Sequence, residues 1–161
     1  MGSRRRLKKL KEESQAVYGI QNESELLLLD THIWVWYVFE DRRLASSKLI
    51  SIIDDAETEG RLRLSPISVW EVGLIVRKGK LHLGVECLEW VKSALHKTNM
   101  ILAPITPEIA IDSTHLPGNF HGDPADRIIV ATARSINATL MTRDERILKY
   151  GRERYVKVVE A

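Results

Sequence analysis

Leu26-Leu27-Leu28-Leu29-Asp30-Thr31-His32 is the stretch that decides the fold. Four consecutive leucines lack the alternation of a half-buried strand and are too short a run for a buried helix. They read as a strand covered on both faces. Leucine is not a strong strand former, so the reading rests on pattern more than on propensity. A strand buried on both sides belongs inside a parallel sheet with helices packed above and below it. Asp30 closes the run, and in open parallel sheets ligands sit beyond the carboxyl ends of the strands.

Outward from this strand, short apolar runs alternate with helical patterns. Thr31 to Phe39 reads as a short helix rich in aromatics (Trp34, Trp36, Tyr37, Phe39), and Leu44 to Glu59 as an amphipathic helix stopped at Gly60. Arg61–Ser65 alternates like a strand. Ser65-Pro66, Thr106-Pro107 and Asp123-Pro124 each place a capping side chain before a proline, the signature of a helix start. The helices they open run to about Lys78 (stopped at Gly79), Thr114 and Ile136. A further helix spans Gly84 to Thr98, and His115–Gly122 is a loop. Met100–Ala103, Ala138–Thr142 and Val156–Val159 read as strands, with a short helix over Asp144–Tyr150. The expectation is an α/β domain from residue 25 to 161, with a mostly parallel central sheet of about five strands and helices on both faces. There is no internal repeat and no low-complexity tract.

At 161 residues, 44% apolar and 29% charged, the chain suits one globular domain. The net charge of +2 hides an asymmetry. Residues 1–11 hold six bases (Arg4, Arg5, Arg6, Lys8, Lys9, Lys11) and no acid, which leaves 18 bases against 22 acids, about −4, for the rest. Residues 1–24 read as a basic extension ahead of the domain. Met1-Gly2-Ser3 has the look of a cloning remnant, and a solvated tail is the plainer reading of the basic run, with phosphate contact the other. A lone Cys87 forms no internal disulfide and fits a reducing, cytoplasmic compartment. No apolar stretch is long enough to cross a membrane, and no secretory signal is expected.

Four acids stand where such a fold brings them together: Asp30 and Asp144 at strand ends, Glu71 and Asp126 in the opening turns of two helices. Carboxylates held close raise one another's pKa, and a divalent cation relieves that. Hard oxygen ligands suit Mg²⁺ or Mn²⁺, ions that activate water and offset phosphoryl charge. The pattern points to metal-dependent phosphodiester hydrolysis. The histidines show no zinc spacing, Asp30 has no second Asp two residues on, and both the Gly-x-Ser-x-Gly turn and the phosphate-binding loop are absent.

At these residues the chain resembles PIN-domain ribonucleases, specifically the toxins of VapBC-type toxin–antitoxin pairs. The matching segments are Leu28–His32, Ser65–Val72 with Arg77–Leu81, Leu102–Pro107, His121–Ile129 and Leu140–Asp144, in the family's order and spacing. The resemblance implies a three-layer α/β/α PIN-like fold, a carboxylate pocket for Mg²⁺ or Mn²⁺, and internal cleavage of an RNA substrate. It also implies homodimers silenced by a small antitoxin whose tail occupies the active-site groove. The quartet falls on Asp30, Glu71, Asp126 and Asp144, with Asp30, Asp126 and Asp144 as metal ligands and Glu71 orienting or deprotonating water. Asp123 is a fifth acid, though an N-cap is its plainer role, and Thr31 and Thr142 are supporting hydroxyls. Family members usually begin just before the first strand, whereas here residues 1–24 precede it.

The remaining residues carry paired readings. Arg127 and Arg143 either meet transition-state charge or hold Asp126 and Asp144 by ion pairs. Arg77, Lys78 and Lys80 make either a phosphate-contact patch or a solvated helix end. His32 is expected half-buried, and His121 is given only a small chance of facing the groove. Trp70 and Trp90 are expected in the core, and Trp34 or Trp36 with Tyr37 on a partner-binding surface. The competing function is a PIN-fold module that binds RNA or protein without cutting, which a broken quartet would have favoured.

Overall fold

The computed structural model describes residues 25–44 and 46–161; the expected basic extension, residues 1–24, lies outside the described residues. Along the chain run β1 (Leu27–Leu29), α1 (Thr31–Val38), a short 3₁₀ turn (Arg42–Leu44), α2 (Ser47–Thr58) and β2 (Leu62–Leu64). Then follow α3 (Pro66–Arg77), α4 (Cys87–Lys97), β3 (Ile101–Leu102), α5 (Pro107–Thr114) and α6 (Pro124–Ser135). The chain ends with β4 (Thr139–Thr142), α7 (Glu145–Arg152) and β5 (Val158–Glu160).

The five strands form one sheet in the order β3-β2-β1-β4-β5, and every pairing is parallel. β1 is central, as the leucine run requires. Leu27 and Leu29 join one core with Ile33, Trp34, Ile53, Leu64, Val72 and Trp90, while Leu28 joins the other with Ile109, Ile129, Leu140, Ile147 and Tyr150. Helices α1 to α4 therefore cover one face and α5 to α7 the other, giving the expected three layers. Because all strands are parallel, their carboxyl ends share one edge, and α1, α3, α6 and α7 begin at or near it.

Helix starts follow the expected caps with one exception. Thr106 accepts the N–H of Ile109 at 3.3 Å, and Asp123 those of Ala125 and Asp126 at 3.0 and 3.3 Å. Ser65 holds the cap position in extended conformation, but its hydroxyl makes no bond to α3. That helix start relies on Pro66 and on the Ser65 carbonyl, which accepts the Ser68 N–H at 2.9 Å. The helix expected from Gly84 begins only at Cys87, where the Glu86 side chain caps it by accepting the N–H of Glu89 at 3.1 Å.

Candidate active site

Asp30 follows β1 and caps α1. Its Oδ1 accepts the Thr31 N–H at 2.7 Å, and its Oδ2 accepts the Thr142 hydroxyl at 2.6 Å. The register explains the second bond. Leu29 pairs with Met141, and the Asp30 N–H reaches the Met141 carbonyl at 3.0 Å, so the next residue on β4, Thr142, lies beside Asp30. The same Thr142 oxygen accepts the N–H of Asp144 at 2.9 Å. One fully buried hydroxyl thus fixes two acids of the quartet. Asp144 caps α7, its Oδ1 accepting the N–H groups of Arg146 (2.9 Å) and Ile147 (3.1 Å).

Glu71 lies in the second turn of α3, and its Oε2 accepts a hydrogen bond from the Thr31 hydroxyl. The two threonines are thus each bonded to a quartet carboxylate. Asp126 stands in the first turn of α6, and Asp123 is the N-cap of that helix.

The electrostatics bring these acids into one field. Burial pushes the Asp30 carboxyl up, opposed by His32 and by the Thr142 and Thr31 bonds, with the Asp144 charge adding to the rise. Burial also raises Glu71, against the Thr31 bond and with the charges of Asp30 and Asp123. Asp126 is pushed up to about 7, first by burial and then by Asp30, Asp123, Asp144 and Glu71 together. Carboxylates from three other stretches of chain act on it, together with Asp123 from its own.

Among the described residues, no three His, Cys, Asp or Glu side chains close on one point as an ion cage. Asp30 and Asp144 commit oxygens to a hydroxyl and to helix N–H groups. An all-oxygen, strongly anionic pocket of this kind fits Mg²⁺ or Mn²⁺, and Mg²⁺ keeps several waters and takes one or two carboxylates directly. The raised Asp126 is the charge stress that such a cation relieves.

His32 is half-buried, as expected. Its Nε2 accepts the Arg143 N–H at 3.0 Å and its Nδ1 lies 3.5 Å from Asp30 Oδ2, while burial lowers its pKa against the pull of Asp30. His121 is a larger part of the site than its sequence position announced. Its Nδ1 accepts the Asp123 N–H at 3.3 Å, which leaves the proton on Nε2, 3.3 Å from Asp126 Oδ2. Only its place two residues before Asp123 hinted at this.

Arg127 takes neither expected role. Its Nε donates to the Ser113 carbonyl at 2.7 Å, and its Nη1 to those of Phe120 and His121 at 3.1 Å each. It clamps the loop that delivers His121. Arg143 donates from Nε to the Ala161 carbonyl at 2.6 Å and lies 5.4 Å from the centroid of Trp36, which places it on the pocket rim rather than in an ion pair with Asp144. Arg77, Lys78 and Lys80 are exposed at the far end of α3, with Arg77 roughly 9 Å along the axis from Glu71 at 1.5 Å per residue.

One tryptophan expectation is overturned and another is narrowed to Trp36. Trp34 is fully buried against Trp90, with ring centroids 5.3 Å apart, so it offers no partner surface. Trp70, expected in the core, is 56% exposed. Ser68 and Val72 form the buried stripe of α3, and a residue two positions from each points to the opposite side at 100° per residue. Trp90 is in the core as expected.

The family model described as PIN domain matches residues 27–153. Ribonuclease VapC22 of Mycobacterium tuberculosis is 32% identical over 134 residues, 82% of this chain and 97% of that protein. Among solved structures, VapBC2 from Rickettsia felis, bound to a DNA fragment from its promoter, is similar with a TM-score of 0.62 at 16% identity, covering 84% of this chain and 98% of that one. FitAcB from Neisseria gonorrhoeae is similar with a TM-score of 0.57 at 23% identity, covering 83% and 96%.

Proposed function

The chain belongs to the PIN-domain family, and from that premise we propose that it is an endoribonuclease, the toxin of a toxin–antitoxin pair, working with Mg²⁺ or Mn²⁺. The observation that carries this reading is Asp126, raised to about 7 by burial and by four neighbouring carboxylates. A fold rarely concentrates that much uncompensated charge unless a cation or substrate chemistry uses it.

When bound, Mg²⁺ or Mn²⁺ supplies the positive charge that acidifies water and offsets the phosphoryl oxygens. Asp30, Asp126 and Asp144 would hold it. Thr142 keeps Asp30 and Asp144 in register across β1 and β4. Glu71 takes the proton of the attacking water; Thr31 fixes its Oε2, and burial, which raises its pKa, makes it the stronger base. His121 faces Asp126 with Nε2, and Arg127 holds the loop that carries His121. Arg143 on the rim meets the phosphate next to the scissile bond. The RNA strand lies across the carboxyl edge of the sheet.

A small antitoxin as partner, a homodimeric assembly and a cytoplasmic setting belong to the same reading, which the 32% identity to Ribonuclease VapC22 supports. No helix of the described residues is long and apolar enough to cross a membrane.

Cleavage of an end-labelled structured RNA tests the proposal, in Mg²⁺, Mn²⁺ or EDTA, with Asp30→Asn and Glu71→Gln beside the parent protein. Metal-dependent internal cuts that fall at least about a hundredfold in both variants are expected. Equal cutting by parent and variants identifies a contaminating nuclease. RNA bound but uncut on every substrate tried leaves the non-catalytic binding module as the better reading.

A further inference from the structure

A groove walled by α1, α2 and the end of α4 lies apart from the carboxylate pocket and encloses about 750 Å³. Helix α1 starts at the pocket, where Asp30 caps it, and the groove forms around its last turn, roughly 12 Å further along the axis. Trp36, Val38 and Ile50 supply apolar surface, and Ile50 remains 36% exposed there. Glu40, Asp54 and Glu57 stand among the lining residues, and Arg42 and Lys97 offset only part of the charge. The Tyr37 hydroxyl lies 2.8 Å from Asp54 Oδ1 and 2.6 Å from Glu57 Oε2, which fixes both carboxylates on the groove wall.

The sequence contains a segment of the complementary kind. Arg4-Arg5-Arg6-Leu7-Lys8-Lys9-Leu10-Lys11 carries six bases, no acid, and two leucines three residues apart. The described chain also begins in the right place. The Glu25 carbonyl accepts Arg61 Nη1 at 2.6 Å, and the Arg61 N–H donates to the Ala56 carbonyl at 2.8 Å. Residue 25 is thereby tied to the last turns of α2, the turns that carry Asp54 and Glu57. Residues 12–24 can span up to roughly 40 Å when extended, ample for the distance.

We propose that residues 4–11 dock in this groove of their own chain, with Leu7 and Leu10 on the apolar floor and the basic side chains against Glu40, Asp54 and Glu57. The inference stands whether or not the chain cuts RNA.

Zero-length carbodiimide coupling of the full chain, mapped by mass spectrometry, tests it. A mixture of ¹⁵N-labelled and unlabelled chains separates coupling within a chain from coupling between chains. Lys8, Lys9 or Lys11 are expected to couple to Glu40, Asp54 or Glu57 within one chain. The yield should drop at least fivefold in Asp54→Asn/Glu57→Gln and in Leu7→Ser/Leu10→Ser. Amide exchange over residues 48–58 should quicken several-fold when all six bases become Gln. The proposal is overturned by no coupling, by coupling chiefly to Glu71, Asp126 or Asp144, or by mixed-isotope products that identify a second copy as the occupant.

Discussion

Asp126 bears the electrostatic stress of the pocket, and that has a measurable sign. Its carboxyl rises from 3.8 to about 7 on folding. Between those values the native chain binds more protons than the unfolded one, so stability is lost as pH climbs from about 4 to about 7. Asp126→Asn removes the loss. Allowing for solvent screening of a partly exposed group, the gain is on the order of 1 kcal/mol. In thermal melts the variant should exceed the parent by a few degrees at pH 8 and by much less near pH 4.5. A gap independent of pH would rule out this origin. Thr142 acts in the opposite direction. Thr142→Val keeps the volume but strips buried Asp30 of its hydroxyl donor, at a cost of about 1–3 kcal/mol in urea unfolding. A tenfold or larger loss of metal affinity or RNA cleavage should accompany it, with Thr142→Ser largely restored. At this scale the quartet and its two threonines were legible because they occupy strand ends and helix starts. Arg127 was not, because its partners are the carbonyls of Ser113, Phe120 and His121, and backbone acceptors leave no mark in side-chain patterns. Trp70 was misread because an apolar residue was given the buried face without counting 100° steps from Ser68 and Val72.

Elements were readable to within a residue or two wherever a local device sets them. The cap-then-proline pairs opened α3, α5 and α6, and Gly60 and Gly79, both at φ +68°, closed α2 and α3. Asn99 (φ 45°) and Asn137 (φ 51°) follow α4 and α6 in the same left-handed conformation, a use of asparagine that the reading passed over. Packing overrides local preference at Gly151 in α7. Alanine there would add helix propensity of about 1 kcal/mol. Yet its Cβ would meet Val158 of β5, with Cγ1 at 2.8 Å and the backbone-fixed Cβ at 3.1 Å. Overpacking of this kind typically costs 1–3 kcal/mol, so Gly151→Ala should lower the urea midpoint. Val158→Ala in the same chain should recover much of the loss, because the two residues share one contact. Additive losses in the double variant would show that the clash is not the cause.

Over the whole molecule, alternation of strands and helices predicted a parallel three-layer domain, but strand order could not be read from it. The order β3-β2-β1-β4-β5 is a tertiary outcome, and it is what makes the site. With β2 and β4 on either side of β1, the start of α3 and the end of β4 flank Asp30, and Glu71 and Asp144 arrive from opposite sides. Unfolding disperses the five acids over nearly the length of the domain, so a cation that needs several of them binds only the native state. Such a ligand stabilises by RT ln(1 + [L]/Kd), about 1.4 kcal/mol at ten times Kd. For a domain of this size that is roughly a 3–6 °C rise in melting temperature. Protons compete for the same carboxylates, and Asp126 titrates near 7. The Mg²⁺-induced rise should therefore be largest at pH 8 and shrink steadily towards pH 5.5, as the site protonates before the ion can use it. In Asp30→Asn the rise should be lost or sharply reduced at every pH. A Mg²⁺ effect that ignores pH and survives in that variant would mean the ion acts elsewhere, and the convergence of strand ends on Asp126 would need another explanation.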